Sequence, residues 1–134
     1  MTAETHADEL VAFLDEMADV SGRAILPWFR QRLDVENKLS GGAYDPVTVA
    51  DKAAEEAMRR LLAERYPEHG ILGEEYGRER EDAEHVWVLD PIDGTRAFIS
   101  GLPVWGTLIG LKRDGVPVLG TMHQPFTRER FTGD

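Results

Sequence analysis

A short apolar run followed directly by two carboxylates is the feature that most constrains this chain. Val86–Leu89 is typical of a buried strand, and it leads into Asp90–Thr95, which reads Asp-Pro-Ile-Asp-Gly-Thr. Two carboxylates are therefore held at the end of a rigid element, beside a Gly-Thr turn. Carboxylate oxygens suit hard divalent cations, and backbone N–H groups at a helix start suit a phosphate. The motif predicts metal-assisted hydrolysis of a phosphate ester.

Composition sets the class of protein. The chain has 134 residues, of which 42% are hydrophobic and 30% charged, as in one globular domain over residues 1–134. No apolar run approaches the ~20 residues of a membrane span, and the N-terminus lacks the pattern of a signal peptide. Because there is no cysteine, disulfides and thiolate chemistry are excluded. We expect a cytoplasmic protein with no membrane partner.

The formal net charge of −10 argues against a nucleic-acid partner, which requires a basic surface. An acidic chain also looks unsuited to an anionic substrate. Bound divalent cations reverse the local field, however, so the charge is compatible with a small phosphorylated metabolite.

Helical periodicity predicts two helices, from Ala7 to about Arg32 and from Thr48 to Tyr66. Mostly strands follow, with a hairpin turn at Asp114-Gly115. This order predicts an α+β fold in which two N-terminal helices pack on a mainly antiparallel sheet. The other predicted elements are strands at Val35–Leu39, Gly70–Gly73, Val86–Leu89, Val104–Lys112, Val116–Gln124 and Arg128–Phe131, a short helix at Arg96–Ile99, and loops at Ser40–Pro46 and Gly77–Glu84.

Acidic residues stand at the ends of two of these strands. Asp90 and Asp93 share one turn, and Glu74 follows the strand Gly70–Gly73. If the two strands are neighbours, three carboxylates converge, and the carbonyl oxygen of Ile92 completes an oxygen cage. Such a cage suits one or two Mg²⁺ ions, which clamp the attacking water and the leaving oxygen of a phosphate. Zinc suits it less, because no histidine pair lies at ligand spacing.

Three further residues have candidate roles. The Thr95 hydroxyl is placed to orient a water whose proton Asp51 takes. The amides of Gly94 and Thr95 are candidates for the phosphate, and glycine at position 94 permits a close backbone approach.

Each of these residues also has an ordinary structural interpretation. Asp93 is in place to cap the short helix that begins near Thr95. Thr48 and Asp51 fit a capping-box pattern at a helix start. Glu74 alone is typical of solvated loop charge, and the Thr95 hydroxyl alone is typical of a turn.

Three segments together resemble the inositol monophosphatase-like superfamily of Mg²⁺-dependent sugar phosphatases. They occur in the family's order and include the long Asp-Pro-Ile-Asp-Gly-Thr motif, so the resemblance extends over nearly the whole chain. The segments are Asp45–Asp51, Ile71–Glu75 and Trp87–Thr95.

The resemblance implies a metal centre of Mg²⁺, with Mn²⁺ as a substitute. Glu74, Asp90 and the Ile92 carbonyl would hold one ion, and Asp90 and Asp93 a second. Glu74 would also reach a weaker third ion.

The resemblance likewise implies that Asp51 and Thr95 activate the attacking water, with Glu74 beside them in the catalytic set. Asp93, Gly94 and Thr95 would hold the substrate phosphate.

Within the superfamily, residues 96–109 look most like the histidinol-phosphatase branch. Inositol phosphatases more often have asparagine where this chain has Ala97. The resemblance thus implies hydrolysis of histidinol phosphate, in histidine biosynthesis, with inositol 1-phosphate as the alternative substrate.

Members of the family continue into a second half, where a Trp-Asp motif completes the second metal site. We therefore expect this chain to be the N-terminal, metal-binding half of the layered α/β/α/β/α fold, with the C-terminal half absent. The expected assembly of the full-length form is a homodimer. An incomplete layer predicts exposed apolar surface and self-association.

Two other functions are alternatives to this phosphatase. A haloacid-dehalogenase-type phosphatase uses Asp-x-Asp-Gly-Thr, in which the first aspartate attacks phosphorus. Here Pro91 occupies that position, and the parallel βαβ pattern is missing. The second is a non-catalytic module that binds a metal or a phosphate without turnover.

Overall fold

The computed structural model describes residues 3–30 and 46–134. Helix α1 spans Ala3–Ile25 and is followed by a 3₁₀ helix, Leu26–Trp28. The α-helix ends before the predicted Arg32, because Pro27 lacks the N–H that a helix interior requires. The predicted strand Val35–Leu39 lies outside the described residues, as does the predicted loop Ser40–Pro46 except for its last residue.

Helix α2 spans Pro46–Arg65, two residues earlier than its predicted start. Proline favours the first helical position because its φ is already helical and its missing N–H is not needed there. Among the described residues, no helix is long and apolar enough to cross a membrane.

Six strands form one sheet in the order β2-β1-β3-β4-β5-β6. All neighbours are antiparallel except β1 and β3, which are parallel. The predicted α+β fold with a mainly antiparallel sheet is therefore confirmed. The strands are β1 Gly70–Gly73, β2 Gly77–Glu79, β3 His85–Asp93, β4 Gly106–Arg113, β5 Val116–Gln124 and β6 Glu129–Gly133.

The structure corrects one prediction, at β2, and lengthens another, at β3. The charged segment that begins at Gly77 was predicted to be loop, but its first three residues form the edge strand β2. All three are exposed, so no hydrophobic alternation marks the strand. The predicted strand Val86–Leu89 is part of a nine-residue strand, β3, which contains the Asp90–Asp93 motif itself.

Helices α1 and α2 pack on one face of the sheet. Trp87 is fully buried there against Phe13, with ring centroids 5.4 Å apart. A second cluster surrounds Trp105 and Phe98 next to the motif. Trp87 and Trp105 are both buried, and the two clusters fix β3 against the helices.

The opposite face of the sheet carries exposed apolar side chains. Leu108, Met122 and Phe131 pair in register across β4, β5 and β6, with 36%, 49% and 62% of each residue exposed. Asp90 pairs with Leu108 in the same row, so its side chain lies on this face too.

Candidate active site

The parallel pairing of β1 and β3 brings two of the predicted carboxylates together. Gly73 pairs with Leu89, so Glu74 and Asp90 are the next residues at the same ends of adjacent strands. The sequence prediction depended on these strands being neighbours, and they are.

A bulge in β3 shapes the motif between its two aspartates. Asp90 pairs with Leu108 and Asp93 pairs with Gly106, so β3 has one residue more than β4 in this interval. The buried Thr107 hydroxyl donates to the carbonyl oxygen of Pro91 over 2.7 Å. This hydrogen bond holds the extra residue of β3 in place.

Asp51 approaches the bulge from helix α2. The helix begins at Pro46, so Asp51 lies in its second turn and not at a cap, and the capping-box interpretation is wrong. Only 8% of Asp51 is exposed. Burial, followed by the nearby Glu75, Asp90 and Glu74, raises the pKa of this carboxyl to about 7, while a hydrogen bond with the Ile92 backbone opposes the rise.

Asp90 is crowded by carboxylates in the same way. Burial, followed by Glu74 and Asp93, raises the pKa of Asp90 to about 6. The buried Oδ1 atoms of Asp51 and Asp90 both lack a hydrogen-bond partner. Buried polar oxygens are normally paired, and carboxylates this crowded are stabilised by a cation.

The carboxylates do not form a closed cage of side chains. Within residues 3–30 and 46–134, no group of three or more His, Cys, Asp or Glu side chains is close enough to enclose a metal. Mg²⁺ is usually held by one or two carboxylates, with water and phosphate completing its shell. The two orphaned oxygens and the all-oxygen donor set fit such an ion.

Asp93, Gly94 and Thr95 are exposed where β3 joins helix α3, Thr95–Ile99. Gly94 is the N-cap and makes no side-chain cap, so the capping interpretation of Asp93 is wrong. Gly94 has φ of 96°, and a Cβ there would lie 3.1 Å from Trp105 Cα. Only glycine fits this position without strain.

A cavity of about 570 Å³ opens beside the carboxylates on the uncovered face of the sheet. Glu74 and Asp90 line it together with the apolar Leu72, Val88 and Leu108. Its size and its mixed lining suit a small polar metabolite.

Sequence reasoning missed three residues that shape the site. Glu75 is the neighbouring charge that most raises the pKa of Asp51, and the Thr107 hydroxyl holds the β3 bulge. Glu55 is fully buried and accepts hydrogen bonds from the turn after Glu74. The available signal for Glu55 was an acidic residue on the apolar face of a predicted helix.

The chain matches the inositol monophosphatase family over residues 6–134. It is 45% identical over 133 residues to the chloroplastic bifunctional phosphatase IMPL2 of Arabidopsis thaliana, covering 98% of this chain and 38% of that protein. It is 38% identical over 128 residues to the histidinol-phosphatase of Mycobacterium tuberculosis, covering 95% and 47%.

Among solved structures, an inositol monophosphatase from Zymomonas mobilis aligns with a TM-score of 0.84 at 44% identity. The alignment covers 99% of this chain and 49% of that one. The chain thus spans half or less of the length of these relatives. The match over almost the entire chain, together with the shared fold, shows that the chain belongs to the inositol monophosphatase family.

Proposed function

We propose that this chain carries the metal-binding part of a Mg²⁺-dependent phosphomonoesterase that acts on a small phosphorylated alcohol. One observation carries the proposal. Asp51 and Asp90 each bury a carboxylate oxygen without a partner, in a cluster whose charges raise the pKa of both groups. A divalent cation bound by Asp90 would satisfy that oxygen, and its positive charge would offset the repulsion that helps to raise the pKa of Asp51.

In this proposal Glu74, Asp90 and the Ile92 carbonyl hold one ion, and Asp90 and Asp93 a second. When bound, Mg²⁺ supplies charge that stabilises the phosphoryl oxygens and lowers the pKa of water. Mn²⁺, which also accepts carboxylate, carbonyl and water oxygens, is the natural substitute.

The chain's own residues orient the reactants. The Asp51 carboxylate accepts the proton of the attacking water, and the Thr95 hydroxyl orients that water. Asp93 and the backbone of Gly94 and Thr95 position the phosphate, since no side chain at position 94 intervenes.

The proposed substrate is histidinol phosphate, with inositol 1-phosphate as the alternative. The histidinol-phosphatases of Mycobacterium tuberculosis and Chlorobaculum parvum are 38% and 36% identical to this chain. The inositol monophosphatase of Mesembryanthemum crystallinum is 34% identical. The similar identities support the phosphatase class more strongly than the choice of alcohol.

The test is Mg²⁺-dependent phosphate release from histidinol phosphate and from inositol 1-phosphate by the purified chain. Asp93→Asn is the inactive variant, and Asp82→Asn, at an exposed loop carboxylate, is the matched control. Turnover that Asp93→Asn abolishes and Asp82→Asn preserves is the expected result. Equal rates on both esters would overturn the choice of histidinol phosphate.

The absence of turnover, with Mg²⁺ still raising the melting temperature, would leave a metal site that is incomplete for catalysis, either in an N-terminal half or in a non-catalytic metal-binding module. No turnover and no response to Mg²⁺ would overturn both.

A further inference from the structure

Glu55 is a buried carboxylate one helical turn beyond Asp51 on α2. It has no exposed surface, and each of its two oxygens accepts a backbone N–H. The Glu75 amide donates to Oε1 over 3.1 Å, and the Tyr76 amide donates to Oε2 over 2.8 Å. Those amides belong to the two residues that follow Glu74. Glu55 therefore binds the turn between β1 and β2 from helix α2.

Arg59 completes the network. Its Nε donates to Glu55 Oε2 over 3.1 Å, and its Nη1 donates to Glu79 over 2.9 Å. Its Nη2 donates to the carbonyl oxygen of Gly77. One arginine thus neutralises the buried carboxylate and joins it to β2, the strand on the far side of the turn. Hydrogen bonds to ionised groups are stronger than neutral ones, which favours a rigid turn.

The last residue of β1 leaves room for this carboxylate. A Cβ on Gly73 would lie 2.5–2.6 Å from the carboxyl atoms of Glu55. Such contacts do not occur in folded proteins, so any side chain at position 73 displaces the carboxylate. The Glu55 carboxylate therefore occupies the space that a side chain at Gly73 would need, and Gly73 directly precedes Glu74.

We propose that Glu55 is a positioning residue that holds Glu74 beside Asp90. It acts by binding the amides after Glu74 and does not touch the ion itself. Helix α2 then supports the proposed metal site at two places. Asp51 faces the β3 bulge, and Glu55 fixes the β1–β2 turn. This inference rests on the proposed role of Glu74 as a metal ligand.

The experiment measures Mn²⁺ binding to the 134-residue chain by the electron paramagnetic resonance signal of free Mn²⁺. Glu55→Gln retains the size of the side chain but offers one of the two amides a donor instead of an acceptor. Loss of a group that orients a metal ligand typically weakens metal binding by about 10–100-fold. We expect a loss of that order in Glu55→Gln.

Gly73→Ala tests the same contact from the other side, since it displaces a carboxylate that is still present. It should also weaken Mn²⁺ binding, and it keeps the test available if Glu55→Gln does not fold. Glu56→Gln is the matched control, because Glu56 makes the same i,i+4 pair, with Arg60, on the exposed face of α2. We expect its Mn²⁺ affinity to equal that of the wild type.

Met58→Ala separates positioning from general loss of stability. Met58 is fully buried in the core one turn further along α2, and its side chain carries no carboxylate for the amides after Glu74. Folded Met58→Ala should melt at a lower temperature with unchanged Mn²⁺ affinity. Equal weakening in Met58→Ala and Glu55→Gln would overturn the positioning role.

The two proposals fail in different ways. Wild-type Mn²⁺ affinity in both Glu55→Gln and Gly73→Ala overturns the role of Glu55 and leaves the proposed function intact. A wild-type chain that binds no Mn²⁺ overturns the metal centre, and the role of Glu55 with it.

Discussion

The Thr107 hydroxyl donates a buried hydrogen bond of 2.7 Å to the carbonyl oxygen of Pro91, within the Asp90–Asp93 bulge. Pro91 itself has no N–H with which to anchor the bulge to its neighbour. Strand β4 therefore supports the bulge through a side chain where the regular ladder is interrupted.

Replacing Thr107 by valine should destabilise the protein by about 1–3 kcal/mol, because it leaves a buried carbonyl oxygen without a partner. The size of the side chain is preserved, so little cavity forms. Urea unfolding measures the change. Thr127→Val, at an exposed turn position, is the control and should change the stability little. A loss in Thr107→Val no larger than in this control would contradict the supporting role.

Asp51→Asn should stabilise the metal-free protein, and increasingly so as the pH rises. The folded-state pKa of Asp51, about 7, lies above the ordinary aspartate value of 3.8. A raised folded pKa gives stability that is complete below the unfolded pKa and is lost as the pH rises through 7. Asparagine does not ionise, so it avoids this loss.

Thermal melts in EDTA at pH 5 to 8 measure this effect. The melting-temperature difference between Asp51→Asn and wild type should grow with pH, and Asp82→Asn should show no such trend. Added Mg²⁺ should stabilise the wild type more at pH 8 than at pH 5.5, because protons compete with the cation for Asp90. A melting-temperature difference that does not change with pH would show that the pKa of Asp51 is not raised.

His69 should make the protein sensitive to acid. Trp87 Nε1 donates to His69 Nδ1 over 3.0 Å, which requires a neutral imidazole. Burial, followed by the neighbouring His85, lowers the pKa of His69 below 6.5. A lowered folded pKa gives stability that is present above pH 6.5 and is lost as the pH falls through the folded value.

The variant His69→Gln can still accept the Trp87 N–H and does not titrate. Its urea midpoint should fall less than that of wild type between pH 6.5 and pH 5. Asp82→Asn, at an exposed loop position, is the control and should follow the wild type. Parallel declines in His69→Gln and wild type would assign the acid sensitivity to other groups.

The row of Leu108, Met122 and Phe131 should drive self-association of the isolated chain, because it exposes apolar side chains in register across three strands. Light scattering after size exclusion should show a mass that rises with concentration. Replacing Met122 and Phe131 together by threonine should reduce this rise. Val116→Thr, at an exposed position in the β4–β5 hairpin, should not. A wild-type monomer at every concentration would contradict the prediction.

Much of the fold could be predicted because it depends on neighbouring residues in the chain. The bounds of β1 and β5 agree with the sequence prediction, and the Asp114-Gly115 turn joins β4 and β5 with both residues at positive φ. Apolar spacing and turn residues are local signals, and they sufficed here. The edge strand β2 could not be predicted, since its pairing with β1 leaves no mark in its own side chains.

The sequence by itself determined the family and the candidate ligands, since Asp90, Asp93 and Glu74 were named from strand ends and motif alone. Only the tertiary structure decided which residues surround them. The parallel pairing of β1 and β3 brings Glu74 to Asp90, and the packing of α2 brings in Asp51 and the buried Glu55. The physical reason for this division is that a motif consists of adjacent residues and is visible in the sequence. Burial and strand pairing depend instead on contacts between residues that are distant in the chain.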